Sequence, residues 1–259
     1  MTAGGPTLDL NADMGESFGP WSMGDDQALL DVVTTVHVAC GFHAGDPEIM
    51  AATLSRAHAA GVAVGAHPSY PDLTGFGRRA MAVPPERVKL DLLYQLGALD
   101  GIARSLGARL RSVKPHGALY HRMAGDTDCA AAVIEAVGSF SEGLWIVMPA
   151  GSPALRSAQA AGVLVASEAF CDRAYLPDGT LAPRGEAGSL IAEPERAAER
   201  ALALAAGRPI DAIDGTPITL DATTLCVHSD SPGAAAIARH VRAALESAGV
   251  TVAPYAGSS

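Results

Sequence analysis

Residues 8–16, Leu8-Asp9-Leu10-Asn11-Ala12-Asp13-Met14-Gly15-Glu16, begin as a strand and end as a cluster of acids. Leu8 and Leu10 alternate with Asp9 and Asn11, the period-two pattern of a strand. Gly15 then permits a turn that a side chain would resist. Asp9, Asn11, Asp13 and Glu16 are therefore expected at or just past the end of one strand. Alone, the stretch reads equally well as an Asp/Asn turn with a solvated glutamate. Its weight comes from repetition, because the chain uses the same device again and again.

Working outward, short apolar runs alternate with helical stretches. A helix over 24–35 leads to a strand at Val36–Cys40, which delivers His43 and Asp46. Asp46 before Pro47 is a helix start, with the carboxylate as N-cap and proline at the first helical position. That helix runs to about Ala59. A strand at Val62–Ala66 then delivers His67 and Asp72, followed by a loop with Gly75, Gly77 and the pair Arg78-Arg79. Pro84 and Pro85 open the longest helix, to about Leu106. A strand at Leu110–Val113 delivers Lys114 and His116. After a helix over 126–137, a fifth strand at Leu144–Val147 carries no such group, and a short helix follows it at Pro153–Ala161. A sixth strand at Val163–Ala166 delivers Glu168, Asp172 and Arg173, and a Gly/Pro-rich loop covers 175–188. Beyond a helix over 194–206, a seventh strand at Thr224–Val227 delivers His228 and Asp230, and Pro232 opens the last helix.

Strands alternating with helices imply a parallel sheet covered by helices. In an open sheet only the strands near the switch point share a site, whereas in a barrel all strand ends converge on one mouth. Six of seven strands carry polar groups at their ends, which favours an irregular seven-stranded parallel β/α barrel.

Composition bounds the function. The chain has 259 residues, of which 49% are hydrophobic, enough for a sizeable core. Nothing resembles an inter-domain linker, so 1–259 is expected to be one barrel domain, frayed at 1–6 and 256–259. With 28 acidic residues against 18 Lys plus Arg, the formal charge is -10, which argues against nucleic acid. Cys40, Cys129, Cys171 and Cys226 form no C-x-x-C pair and read as reduced, buried thiols. No signal peptide and no membrane span are evident, so a soluble cytoplasmic protein is expected. No P-loop, no G-x-G-x-x-G after the first strand and no G-x-S-x-G elbow occur.

The convergent set is Asp9, Asn11, Asp13, Glu16, His43, His67, Lys114, His116, Glu168, Asp172, Arg173, His228 and Asp230. Of eight histidines, His43, His67, His116 and His228 follow strands; His58, His121 and His240 read as surface or packing residues, and His37 as structural. Two chemistries could use the set. Imidazoles and carboxylates can hold a divalent metal, with candidates among Asp13, His43, His67 and His116. They can equally serve as acid and base on water without one. The spacing does not choose, because there is no local H-x-x-x-H or H-E-x-x-H pair. Lys114, one of only two lysines, suits a substrate anion or oxyanion, or an ion pair with one of the many acids. Arg173 and Arg184 flank the Gly/Pro-rich loop and could clamp a carboxylate.

Six stretches resemble the LamB/YcsF family: LDLNADMGESFG at 8–19, ACGFHAGDP at 39–47, GAHPSYPDLTGFGRR at 65–79, VKPHGALY at 113–120, EAFCDRAY at 168–175 and CVHSDSP at 226–232. They follow in order across nearly the whole chain. Cys171, where a small residue such as alanine is expected, and Ser229, where glycine is common, are mild departures. The resemblance implies ATP-dependent opening of 5-oxo-L-proline to L-glutamate, a 5-oxoprolinase activity, with Mg-ATP as cosubstrate of a complex containing partner subunits B and C. It also implies the barrel of the glycoside hydrolase and deacetylase superfamily. On that basis Asp13 or His116 is the expected base, Lys114 and Arg173 hold the carboxylate or a phosphorylated oxygen, and Asp9 and Glu168 orient the histidines. Asn11, His43, His67, Asp172, His228 and Asp230 complete the expected substrate contacts. The competing expectations are a metal-dependent deacetylase of a small N-acyl or carbohydrate substrate, and a non-catalytic lactam-binding subunit.

Overall fold

A computed structural model describes residues 6–227 and 233–256. In chain order the elements are β1 (Thr7–Met14), α1 (Asp26–Leu30), β2 (Thr35–Ala39), α2 (Pro47–Ala59), β3 (Ala63–His67), α3 (Pro85–Ser105) and β4 (Leu110–Val113). There follow α4 (Gly117–Gly125), α5 (Thr127–Phe140), β5 (Trp145–Pro149), α6 (Pro153–Ala160), β6 (Val165–Phe170), α7 (Pro194–Ala205), β7 (Ile210–Asp211) and β8 (Pro217–Ile218). The last three are β9 (Thr224–Cys226), α8 (Ala234–Ser247) and β10 (Thr251–Val252).

Seven strands close a parallel barrel in the order β1-β2-β3-β4-β5-β6-β9, with β9 returning to β1. The expected seven-stranded barrel is therefore present. Its irregularity has a visible source, a register shift between β3 and β4 at Val64/Gly65. β10 adds to the start of β1 outside the barrel, and β7 pairs antiparallel with β8; neither feature is apparent from the sequence pattern.

β1 explains the architecture. Leu8, Leu10, Ala12 and Met14 are buried in the apolar layer between barrel and helices. Asp9, Asn11 and Asp13, on the opposite face, are also buried, so they line the barrel interior. Alternation here separates two buried surfaces, one apolar and one polar, rather than core from solvent. Asp9 and Asn11 thus lie inside the strand, not at its end, and only Glu16 lies beyond it. The same displacement holds for Glu168, which falls within β6.

The helices complete the apolar layer. On α3, Val88, Leu92, Leu96, Leu99 and Ala103 recur every three or four residues and are buried. The same helix buries Gln95, whose amide accepts from Ser69 N at 2.9 Å and donates to Ser69 O at 2.9 Å. That pair pins the chain two residues after His67. The Asp46 cap is as expected, accepting from Ile49 N at 2.9 Å. Two expectations fail. The helix placed over 24–35 is only Asp26–Leu30, because Val32, Val33 and the β-branched threonines beyond lead into β2. A whole helix, α4, occupies what reads in the sequence as connection after His116. No described helix is long and apolar enough to cross a membrane. All four cysteines are free and buried.

Candidate active site

The polar residues fall into layers along the barrel axis. Deepest is Asp9, whose Oδ1 accepts from Thr34 Oγ1 at 2.7 Å and Thr35 Oγ1 at 2.6 Å, and whose Oδ2 accepts from Thr224. Burial pushes this carboxyl up to about 6, against the pull of the three hydroxyls. Its hydrogen bonds go to threonines and not to a histidine, so it does not orient one as expected: it sits four residues before Asp13, below the mouth.

The middle layer is built on Lys114. Its ammonium lies 2.8 Å from Glu168 Oε1 and 3.0 Å from Asp13 Oδ1, and it donates to Asn11 Oδ1 at 3.4 Å. Burial disfavours the charge, but the two carboxylates outweigh it and hold Lys114 well above the ordinary lysine value. Glu168 also accepts from Asn11 Nδ2 at 3.0 Å and Tyr120 Oη at 2.7 Å. It therefore orients the lysine, not a histidine, which corrects the expectation.

At the mouth stand Asp13, Glu16, His43, His67 and His116. His43 and His116 stack with centroids 3.8 Å apart, and His67 meets both edge-on. Asp13 Oδ2 is 3.4 Å from His67 Nε2. His67 Nδ1 donates to Lys114 O at 2.7 Å, and His116 Nε2 donates to Phe76 O at 2.8 Å. Burial lowers all three imidazoles, His43 to about 3 and the others well below the usual range, which favours their neutral forms. Among the described residues, the side chains whose ligand atoms converge are Glu16, His43, His67 and His116. Glu16 thus takes the place expected for Asp13 in a metal set.

The loop over the histidines is held in an uncommon conformation. Phe76 has φ 53°, left-handed for a residue with a side chain, and its carbonyl is the one that fixes His116. Gly77 follows at φ 63°; a Cβ there would meet His116 Cδ2 at 2.8 Å and Ser69 Oγ at 2.6 Å. Asp72 holds the loop by accepting from Gly75 N at 3.0 Å and from Arg79 Nε at 2.9 Å.

Above the mouth lies a cavity of about 430 Å³, lined by Asp13, Glu16, His67, Lys114, His116 and Tyr120. Arg78, Arg173 and Arg184 also line it. Arg173 is buried, donates Nη2 to Ala182 O at 2.6 Å, and leaves its buried Nε without a hydrogen-bond partner. Burial and the neighbouring Arg184 and Arg78 lower its affinity for its proton. An anion beside Arg173 would relieve both the unmet donor and the like charges.

Asp13, His67, Lys114, His116 and Arg173 thus share one cavity. Asn11, His43 and Glu168 stand behind its wall as supports. Asp172 is buried and is not among the lining residues; its backbone carbonyl accepts from Ile191 N at 2.9 Å. His228 and Asp230 lie outside the described residues. His121, exposed as expected, also lines the cavity. Tyr120 and the Phe76 carbonyl are functional groups that the sequence reading misses. Recognising α4 would have exposed Tyr120, since it lies one turn after His116.

A closed parallel barrel that gathers carboxylates, imidazoles, a lysine and arginines at the C-terminal ends of its strands has the form of a small-molecule enzyme site. Residues 8–259 match the LamB/YcsF family, and the chain belongs to that family. It is 53% identical over 251 residues to the A subunit of 5-oxoprolinase from Methylococcus capsulatus, covering 97% of this chain and 96% of the relative. It is 51% identical over 245 residues to that of Heliobacterium modesticaldum, covering 95% and 96%. Among solved structures, the lactam utilization protein from Thermus thermophilus superposes with a TM-score of 0.90 at 46% identity, covering 96% of this chain and all of that one (100%).

Proposed function

We propose that this chain is the A subunit of a multi-subunit 5-oxoprolinase, opening 5-oxo-L-proline to L-glutamate while the assembled complex hydrolyses Mg-ATP to ADP and phosphate. Residues 1–259 act as one barrel domain alongside subunits B and C. Relatives named as 5-oxoprolinase A subunits, at about half identity over nearly full length, support the activity. Free, buried thiols fit a cytoplasmic setting.

The observation that carries the chemistry is a cavity lined by arginines together with Lys114 and Asp13. Arg173, with an unmet buried donor beside Arg78 and Arg184, suits the lactam's carboxylate. The same cavity is lined by Lys114 and Asp13, in contact at 3.0 Å. A lactam amide is a poor electrophile. Phosphorylation of its oxygen makes the carbonyl carbon attackable by water, and that water needs a base. Asp13 is the base, because both ring nitrogens of His116 are turned to protein atoms, one to Phe76 O and the other to His67. Lys114 holds the phosphate-bearing oxygen, on which charge develops as the phosphate leaves. Asn11 and Glu168 hold the lysine in place.

The test is glutamate formation from 5-oxoproline and ATP by the purified chain with and without the two partner subunits. Turnover is expected from the full set. Its absence from a correctly assembled complex would rule the assignment out.

A further inference from the structure

The mouth of the barrel holds more lone pairs than hydrogens. His67 Nδ1 is 2.7 Å from the Lys114 carbonyl, which can only accept, so that nitrogen carries the hydrogen and a neutral ring leaves Nε2 bare. His116 Nε2 is 2.8 Å from the Phe76 carbonyl, and the same logic leaves its Nδ1 bare. These two bare nitrogens face each other at 2.9 Å. Two acceptors at that distance repel unless a positive centre lies between them. Glu16 Oε1 is a third acceptor, 3.4 Å from His116 Nδ1 and 3.8 Å from His67 Nε2. His43 Nε2 is 3.2 Å from the same oxygen, and its buried Nδ1 has no hydrogen-bond partner, so nothing there fixes the ring's hydrogen.

We propose that Glu16, His43, His67 and His116 hold one divalent first-row transition ion. All four ligand atoms lie within 4.8 Å of one another. A single proton would join two nitrogens on a line. Three nitrogens and an oxygen converging on one point fit a metal. The donor set also selects its class: imidazole-rich sites suit zinc and its neighbours, whereas magnesium and calcium take oxygen ligands. The carbonyls of Lys114 and Phe76 play the part of outer partners, fixing tautomer and ring orientation as they do behind ligating histidines. This gives the left-handed backbone at Phe76 a purpose, since it aims the carbonyl that exposes the His116 lone pair. When bound, such an ion supplies Lewis-acid chemistry at the cavity wall.

The intact chain, stripped with a chelator and dialysed, is titrated with Zn²⁺ by calorimetry and with Co²⁺ by visible absorption, with Mg²⁺ as the comparison. One equivalent of Zn²⁺ is expected, with a Co²⁺ spectrum of a low-coordinate nitrogen/oxygen site, a Zn²⁺-dependent rise in melting temperature and no response to Mg²⁺. Glu16→Gln and His67→Gln should each weaken Zn²⁺ by more than about 10-fold, at least the effect of losing an outer partner. His58→Gln, on α2, should leave it unchanged. Metal-free melting curves separate a lost site from a lost fold. If either variant melts far below the metal-free wild type, His43→Gln takes its place. No saturable Zn²⁺ binding by the wild type, or unchanged affinity in the cluster variants, overturns the proposal. Neither outcome depends on which substrate the cavity takes.

Discussion

Asp13 and Asp9 lie on one face of one strand, yet their surroundings give them different work. Asp13 reaches the cavity, and its partner Lys114 keeps a second carboxylate, Glu168, 2.8 Å away. Asp13→Asn therefore leaves the buried ammonium paired, and the fold should survive. The amide keeps the shape but takes no proton at neutral pH, so glutamate formation by the complete complex should fall by about 10²–10⁴-fold, the usual loss for a general base. Near wild-type turnover would move the base to another group. Asp9 is sealed away, and burial raises it from 3.8 to about 6. The folded protein then holds this proton more tightly than the unfolded chain, so between roughly pH 4 and 6 stability falls as pH rises, and the loss is complete above that window. A shift of this size is worth about 3 kcal/mol. Asp9→Asn does not titrate. Urea unfolding across this range should show the variant gaining on the wild type by about that amount as pH increases. A constant difference would mean that Asp9 ionises freely in the folded protein.

At the scale of elements, the strands are legible because each is a short apolar run closed by glycine, proline or a polar group. The longer helices are legible by their caps and apolar spacing, α2 and α3 most clearly. What fails has physical causes. The residues of β1 alternate between two buried faces, and local pattern does not distinguish a polar barrel interior from the end of a strand. That is why the sequence pairs Asp9 and Glu168 with the histidines although they hold threonines, Asn11, Lys114 and Tyr120. α4 begins and ends with glycine, and Gly117 has φ 52°, where a Cβ would meet Gly77 O at 2.6 Å. Glycine at a helix start reads as loop until the neighbouring backbone that demands it is seen. Glu16 is visible as an acid but not as a ligand, since its partners come from the ends of β2, β3 and β4, distant in sequence. The pairing of Arg79 with Asp72 is equally hidden, and it leaves Arg78 to line the cavity.

The molecule as a whole carries a formal charge of -10 and contains no P-loop. Arg78, Arg173 and Arg184 gather where one small anion would sit, and Asp13 and Glu16 line the same space of about 430 Å³. A triphosphate entering that space would be repelled by these acids unless Mg²⁺ intervened. Arg79, which with Arg78 could have formed part of a nucleotide cradle, donates instead to Asp72 and Thr74. The proposed function accordingly assigns the nucleotide chemistry partly or wholly to the partner subunits, with lactam binding and ring opening in this barrel. Purified free of partners, the chain should release no phosphate from Mg-ATP in response to 5-oxoproline. It should still bind 5-oxoproline, because Arg78, Arg173 and Arg184 all belong to this chain, and Arg173→Met should weaken that binding by about 10-fold or more, as loss of one charge-assisted hydrogen bond implies. Phosphate release and calorimetric binding on the same sample separate the two halves of the claim. Substrate-stimulated release from the isolated chain would place an ATP site at the barrel mouth and sink the division of labour. Binding that Arg173→Met leaves untouched would put the carboxylate elsewhere in the cavity.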